Sequence, residues 1–355
     1  MAKSESSKKE NKSGKKFPSE LRYDLISKDW VVIATGRGKR PEMFRGKKNA
    51  GPVSSKKDCP FCNIEPQLVP VEVFYKGRKM PLEGKVPQKW TTAVIPNKFP
   101  ALLPCKKIET RKEGKFYQTM NACGYCELVV MRDHRKDFAD MKLREVREIF
   151  QVYKERYSAL RKKPHVNYVS IFHNKGAEAG ASQPHPHSQI ITTPLIDVDL
   201  RRAIIHSETY HKEHKKCIYC ELNKWEKGAK KRVVYENRNF LAVCPFASKK
   251  AFEVIITPLR HQHCFESIRN EEMTDLADAF QKVMKALKKG VGDPPYNFYL
   301  HTAPCDGDSY AYYHWHWTIL PKTGTPAGFE MGTHMEISAV EPEKAAEYLR
   351  KLIKK

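Results

Sequence analysis

The sequence predicts an α+β fold made of two tandem halves, each an antiparallel sheet with a packed helix. The first observation is a recurring order of motifs: a Cys-x-x-Cys pair, a strand ending at a proline, a strand leading to a histidine, a helix, and a His-x-His pair. The second is spacing, since His134 to His185 is 51 residues (185 − 134) and His261 to His314 is 53 (314 − 261). Agreement in order and spacing indicates an internal duplication.

Composition limits the class of protein. A chain of 355 residues holds two modest domains or one large domain made of two halves. It has no run of 18 apolar residues and no secretory signal, so we expect a cytoplasmic protein without a membrane partner. Ten cysteines, several spaced Cys-x-x-Cys, favour metal or redox chemistry over a disulfide scaffold. The net charge of +23 invites nucleic acid, but its basic clusters lack interleaved aromatic residues, so we expect anionic small substrates and no nucleic acid.

The N-terminal half follows a polar tail. Residues 1–18 are rich in Lys, Ser and Glu and almost free of apolar side chains, so they are predicted to be a disordered basic tail. Residues 19–200 form the predicted first half. Its strand over Trp30–Ala34 leads into a basic turn that contains Arg37 and Arg40, which read alone is more simply explained as solvated surface.

Strand and helix signals then alternate along the first half. Apolar and β-branched runs predict strands over 91–96, 127–131 and 166–172, and Asn97 directly follows the first of them. Residues 138–163 carry apolar side chains at helical spacing, and we interpret this stripe as core. The stripe consists of Met141, Val146, Ile149, Phe150, Tyr153, Tyr157 and Leu160.

The second half, residues 201–355, repeats this order. Its predicted strands cover 241–244, 252–256, 296–299 and 318–321, and its predicted helix covers 270–289. The run 296–299 is matched to 166–169 of the first half. The segment before the second His-x-His pair is bulkier, acidic and aromatic, so the second half is predicted to act as a scaffold.

Each half offers two cysteines and two histidines at matching positions. Such a set forms the closed tetrahedral shell expected of a structural Zn²⁺, so two zinc sites are predicted. The first set is Cys59, Cys62, His134 and His185, and the second is Cys217, Cys220, His261 and His314. His263 stays open as an alternative to His261. A third pair, Cys123 and Cys126, has no counterpart in the second half, and we interpret it as structural.

Residues 173–190 carry the strongest chemical signal. Small residues dominate the first part of this stretch, and such a loop lets backbone N–H groups approach an anionic group closely. Residues two apart in an extended chain point to the same side, so His185, His187 and Gln189 are expected to share one face. A lone histidine here would be read as a surface residue. Alternating imidazoles behind a small-residue loop suit phosphoryl chemistry with His as nucleophile or base.

A family resemblance rests on this stretch. Its residues are Asn174, Lys175, Gly176, Gly180, Ser182 and the run His185-Pro186-His187-Ser188-Gln189. The pattern resembles the active-site motif of galactose-1-phosphate uridylyltransferases, in the nucleotidyl-transferring branch of the histidine triad superfamily. The pattern Trp30 to Pro41 is similar to the N-terminal signature of the same family. The resemblance implies two histidine-triad-like halves, with the active site in the first.

The resemblance also implies roles for individual residues. His187 would be the nucleophile that takes a nucleotidyl group as a phosphoramidate, and His185 would ligate a metal. The residues implied or expected to contact substrate are Ser182 and Gln189 at the phosphoryl oxygens, Arg37 and Arg40 near the phosphates, Asn97 at the nucleotide, and Asn174, Gly180 and Ala181 in the loop.

The predicted reaction moves a nucleoside monophosphate between a nucleotide sugar and a sugar 1-phosphate or phosphate, with UDP-glucose and galactose 1-phosphate as the leading pair. Gly324 and Glu336 stand where the family carries Lys and Gln, and this favours the ADP-glucose phosphorylase branch as the alternative. A zinc-containing nucleic-acid-binding protein is the second alternative. A nucleotide hydrolase ranks lower, because Gln189 stands where hydrolases carry a further histidine. The chain is also compatible with a homodimer.

Overall fold

A computed structural model of the protein describes residues 19–34, 55–64, 69–82 and 86–354. The predicted tail, Arg37 and Arg40 lie outside these residues. None of the helices described is both long enough and apolar enough to cross a membrane.

Short strands and a few long helices make up the chain. The strands are β1 (Glu20–Tyr23), β2 (Trp30–Ile33), β3 (Glu72–Tyr75), β4 (Arg78–Lys79), β5 (Thr92–Pro96), β6 (Thr110–Glu113), β7 (Tyr117–Met120), β8 (Cys126–Met131), β9 (Tyr168–Lys175), β10 (His187–Thr193), β11 (Val233–Glu236), β12 (Phe240–Val243), β13 (Val254–Pro258), β14 (Tyr296–His301), β15 (His316–Pro321) and β16 (Ile337–Ser338). The helices are α1 (Leu143–Leu160), α2 (Val198–His214), α3 (Ile218–Ala229), α4 (Asn270–Val291), α5 (Gly328–Thr333) and α6 (Pro342–Lys354).

One eleven-stranded antiparallel sheet dominates the fold, in the order β11-β12-β13-β15-β14-β9-β10-β8-β5-β3-β4. The order of β3, β5, β8, β10 and β9 is mirrored by that of β11, β12, β13, β15 and β14. The α+β class and the duplication are therefore confirmed. The two strand sets share one sheet because β9 and β14 pair edge to edge, with Asn174 opposite Asn297 and Phe172 opposite Tyr299.

The register of the sheet corrects one detail of the repeat. His316 pairs with His301, and Ser188 pairs with His173, so His187 lies beside Asn174. His301 is therefore the counterpart of Asn174, and 296–299 corresponds to 169–172. The predicted match to 166–169, in which Asn297 falls on Asn167, was wrong by three residues, because the strand pairings place Ser170 at the position of Asn297.

The core lies between this sheet and the two long helices. All residues of the predicted α1 stripe are buried, and α1 and α4 pack through Phe150 and Phe280, whose ring centroids are 5.1 Å apart. Phe280 in turn meets Phe298 of β14 at 4.9 Å. Helix α6 covers α4 closely, since a Cβ at Gly290 would come within 2.5 Å of Leu352 Cδ1. One apolar core thus runs beneath both halves.

Two smaller sheets lie beside the main one. Strands β1, β2 and β16 form a three-stranded sheet, and β6 pairs with β7 in an exposed hairpin. The base of this hairpin is closed by a disulfide between Cys105 and Cys123. The sequence did not predict this disulfide. Cys126 instead donates its thiol to the Leu102 carbonyl at 3.5 Å, so Cys123 and Cys126 do not act as a pair.

Candidate active site and metal centres

The first predicted metal set is assembled in space. Cys59 and Cys62 lie in one turn, His134 follows β8 and His185 precedes β10, so three separate segments of sequence meet at one point. The Nδ1 atom of His185 lies 3.3 Å from Cys59 Sγ and 3.5 Å from Cys62 Sγ. His134 Nδ1 lies 3.2 Å from both Cys62 Sγ and His185 Nδ1.

These distances fit a tetrahedral cation. With Zn–N near 2.1 Å and Zn–S near 2.3 Å, the edges of the tetrahedron are about 3.4–3.8 Å. The outer nitrogen of His185 is also fixed, because its Nε2–H donates to the Met131 carbonyl at 2.7 Å and leaves Nδ1 free to coordinate. Burial lowers the pKa of His185 to about 4, which keeps the ring neutral, as a metal ligand must be.

The second set repeats this arrangement. Ligand atoms of Cys217, Cys220, His261 and His314 all lie within 4.8 Å of one another, and His263 is not among them. Cys220 Sγ lies 3.4 Å from Nδ1 of both histidines. A hydrogen bond from Cys220 lowers the pKa of Cys217, and that bond together with burial raises the pKa of Cys220. A divalent cation fits this set because it stabilises both thiolates.

His187 opens β10 and is only 7% exposed. Its Nδ1–H donates to the carbonyl of His185 at 2.9 Å, which leaves the lone pair on Nε2. Burial lowers the pKa of His187, so the ring is neutral at pH 7. A neutral imidazole with a fixed tautomer is suited to nucleophilic attack.

Phe61 was missed as a site residue. It lies inside the first Cys-x-x-Cys turn, and its ring centroid is 4.8 Å from that of His187 and 5.7 Å from that of His185. The turn that supplies Cys59 and Cys62 therefore also packs against His187. An aromatic residue between the two cysteines was the available signal, and Tyr219 holds the same place against His316 at 5.5 Å.

The small-residue loop adopts a compact turn. Residues 177–179 form a short 3₁₀ turn, and Gly176 and Gly180 have φ of +83° and +82°, which side-chain-bearing residues rarely adopt. The N–H groups of Ala179 and Ala181 donate to the Gly176 carbonyl at 3.1 Å, and that of Gly180 donates to Ala177 at 2.9 Å. These three N–H groups are used within the loop, so they are not among the free N–H groups that were expected to approach an anionic group.

The other predicted substrate contacts are placed by the sheet. Asn174 lies beside His187, and Gln189 lies two residues further along β10. Ser182 is exposed at the end of the loop. Asn97 follows β5 about 13 Å along the strand direction from the row that contains His187, and its Oδ1 accepts the Phe99 N–H at 3.0 Å. This separation is comparable with the length of a nucleotide.

The equivalent place in the second half is closed. His316 is as buried as His187, but its ring stacks on His301, with centroids 4.7 Å apart, where the first half has Asn174 beside His187. The acidic, aromatic segment that precedes it offers no counterpart of the small-residue loop. The two halves thus share a scaffold and differ in their sites.

Comparison with known proteins agrees with this geometry. The profile described as "Galactose-1-phosphate uridyl transferase, N-terminal domain" matches residues 9–197, and a domain of unknown function, DUF4921, matches residues 132–355. The chain belongs to the galactose-1-phosphate uridylyltransferase family. It is a nucleotidyltransferase, and its relatives across the full length carry the same type of activity.

Two known relatives align with almost the whole of the chain. ADP-glucose phosphorylase of Arabidopsis thaliana is 30% identical over 339 residues, which is 94% of this chain and 93% of the relative. Galactose-1-phosphate uridylyltransferase of Thermotoga maritima is 28% identical over 340 residues, covering 93% of this chain and 98% of the relative.

Solved structures give the same picture. An ADP-glucose phosphorylase from Arabidopsis thaliana with bound ADP-glucose superposes with a TM-score of 0.75 at 28% identity, covering 94% of this chain and 99% of that one. A structure described as uridylyltransferase superposes with a TM-score of 0.72 at 26% identity, covering 94% and 98%. The shared fold extends through both halves of this nucleotidyltransferase.

Proposed function

We propose that this enzyme transfers a uridylyl group between UDP-glucose and galactose 1-phosphate through a covalent nucleotidyl-His187. The observation that carries the proposal is the hydrogen bond from His187 Nδ1 to the His185 carbonyl, which presents Nε2 as the reacting atom. The Thermotoga maritima relative supports the choice of substrates.

The reaction takes place in two balanced displacements. The Nε2 lone pair attacks the α-phosphorus of UDP-glucose, the P–N bond forms, and the bond to the β-phosphate oxygen breaks to release glucose 1-phosphate. A phosphate oxygen of galactose 1-phosphate then attacks the same phosphorus and breaks the P–N bond. Because the imidazole becomes cationic in the first step, the His185 carbonyl that accepts from Nδ1 stabilises the intermediate.

Both Cys₂His₂ sets are proposed to hold Zn²⁺ as structural sites. The first would be held by Cys59, Cys62, His134 and His185, and the second by Cys217, Cys220, His261 and His314. Zinc in such a closed shell supplies rigidity. A zinc ion in the first set would also hold His187 in place, because His187 Nδ1–H donates to the backbone carbonyl of the proposed ligand His185.

The remaining assignments complete the proposal. Ser182 and Gln189 are proposed to hold phosphoryl oxygens, with Asn174, Gly180 and Ala181 lining the loop and Asn97 at the nucleotide. Arg37 and Arg40 would approach the phosphates. We propose that residues 19–200 and 201–355 are the two units of the duplication, that the chain can form a homodimer, and that it has no nucleic-acid partner.

ADP-glucose phosphorolysis is a second candidate with its own observation. In the tail segment, the Glu336 carboxylate forms an ion pair with Lys250, so a position where the family carries Gln holds a carboxylate that is paired within the protein. The 30% identical Arabidopsis thaliana relative favours this reaction.

A paired assay tests the choice between the two reactions. The enzyme is given UDP-glucose with galactose 1-phosphate, and separately ADP-glucose with inorganic phosphate. The proposal predicts a higher kcat/KM for the first pair, by at least about tenfold. A higher kcat/KM for ADP-glucose with phosphate would contradict uridylyl transfer and support adenylyl transfer. If neither substrate pair is turned over, both proposed reactions are wrong.

A further inference from the structure

Three successive residues of the first half are held by a short segment of the second half. Asn174, Lys175 and Gly176 end β9 and begin the small-residue loop. The segment that meets them is 293–297, which follows α4 and includes the first two residues of β14. The contacts therefore cross from the half that is predicted to be a scaffold into the half that carries His187.

The central contact is made by one amide. Asn297 Nδ2 donates to Asn174 Oδ1 at 2.7 Å and to the Ala179 carbonyl at 2.8 Å. A side-chain amide nitrogen has two N–H groups, so both are used. One acceptor is on the strand beside His187 and the other is in the 3₁₀ turn, which makes Asn297 a direct link between strand and loop.

Two further contacts keep this corner in place. Lys175 Nζ forms ion pairs with Asp293 and with Asp137, the latter at 2.5 Å. Gly176 approaches Pro295 so closely that an added Cβ would come within 2.9 Å of the proline Cβ. The contact with Pro295 therefore fixes the direction in which the loop leaves β9, and the bond from Asn297 to the Ala179 carbonyl fixes the position of the 3₁₀ turn.

We propose that Asn297 is a positioning residue for nucleotidyl transfer, holding the loop 176–182 in register with the strands that carry Asn174 and His187. The inference rests on the proposed chemistry at His187. It gives the second half a role in the reaction that its own closed site does not have.

The symmetry-related position in the same strand pair lacks a side chain that could make these two bonds. Continuing the register of β9 and β14 places Ser170 opposite His301, so Ser170 is the counterpart of Asn297. A serine hydroxyl is shorter and has a single proton, so it cannot link two acceptors in the same way. The bracing side chain is present only where the small-residue loop is present.

The test compares Asn297→Ala and Asn297→Asp with a matched control, Asn167→Ala. Asn167 Nδ2 donates to the Pro194 carbonyl at 2.8 Å, which is a similar bond at the far end of the same strands. The aspartate variant keeps the shape of the side chain and removes both donors, so it serves if the alanine variant folds poorly. The readouts are the single-turnover rate of nucleotidyl-enzyme formation at saturating UDP-glucose or ADP-glucose, and hydrogen exchange over residues 176–184.

We expect both Asn297 variants to lose about 30- to 100-fold in that rate, as a misplaced contact group would cause, while the control stays within about threefold. Exchange in the loop should accelerate, with β10 and β15 unchanged. A rate within threefold of wild type, or an unchanged loop, overturns the proposal. If the wild-type enzyme forms no adduct, the proposed chemistry fails, and hydrogen exchange alone then decides whether Asn297 holds the loop.

Discussion

Removing one thiolate from each zinc set should have different consequences in the two halves. Cys59→Ser and Cys217→Ser remove equivalent ligands, and each is expected to lower the zinc content from two ions per chain to one. Cys126→Ser is the control, since this buried cysteine bonds the Leu102 carbonyl and belongs to neither set.

The expected magnitudes follow from what each set holds. Without its zinc, the His185 ring keeps its bond to the Met131 carbonyl, worth only about 1 kcal/mol. His187 bonds to the backbone of His185, and a shift of about 1 Å in a reacting group costs on the order of 10²-fold in rate. Cys59→Ser should therefore slow adduct formation about 100-fold. Cys217→Ser should keep the rate within about threefold and lose several kcal/mol of stability, since structural zinc contributes folding free energy.

Elemental analysis, thermal unfolding and single-turnover mass spectrometry measure these effects on the same samples. If Cys59→Ser loses its zinc and still forms the adduct as fast as wild type, the first zinc set does not position His187. A loss of zinc in the Cys126→Ser control, or a wild type that is folded and active with no zinc at all, would contradict the assignment of the two sets.

Two further predictions concern stability. Burial raises the pKa of Glu253 from 4.5 to about 7, so its contribution to the free energy of unfolding is complete below pH 4.5 and is lost as the pH rises through 7. Glu253→Gln should therefore be more stable than wild type at pH 8 by up to about 3 kcal/mol. The same stability difference between variant and wild type at pH 5 and at pH 8 would contradict this. Arg156→Met leaves Glu127, which Arg156 contacts at 2.7 Å, buried without its partner, while Glu72, at 3.0 Å from Arg156, keeps its ion pair with Lys79 at 2.8 Å. It should lower the free energy of unfolding by about 3–5 kcal/mol in urea titration, and adding Glu127→Gln should recover part of this loss; a cost below about 1 kcal/mol would contradict the ion pair's role.

The assembly of the two Cys/His sets and the position of His187 at the start of β10 were predictable because their signals are local. Cysteines with two residues between them share a turn, and a histidine at a strand end or two residues before His187 has few directions to point. The sequence left His261 and His263 open, because His263 to His314 is 51 residues (314 − 263), as in the first half; only the structure places His261, and not His263, with the other three ligands.

Features that depend on register between distant strands were not predictable. The joining of β9 to β14 could not be predicted from either strand, because both mix apolar and polar residues and would suit several partners. Asn297 gains its role only from that pairing. The disulfide between Cys105 and Cys123 likewise depends on how the chain returns after the β6–β7 hairpin. Helix α6 was missed although Ala345, Ala346 and Leu349 form an apolar stripe that packs into the main core.

The central claim is that His187 carries the nucleotidyl group, and intact-mass analysis tests it most directly. Incubation with UDP-glucose or ADP-glucose alone should add the mass of one nucleoside monophosphate, as an acid-labile, alkali-stable adduct on His187. His187→Gly should abolish the adduct and transfer, while His316→Ala, which changes the closed equivalent position, should keep both. A label that maps to His316, or normal turnover by His187→Gly, would contradict the account.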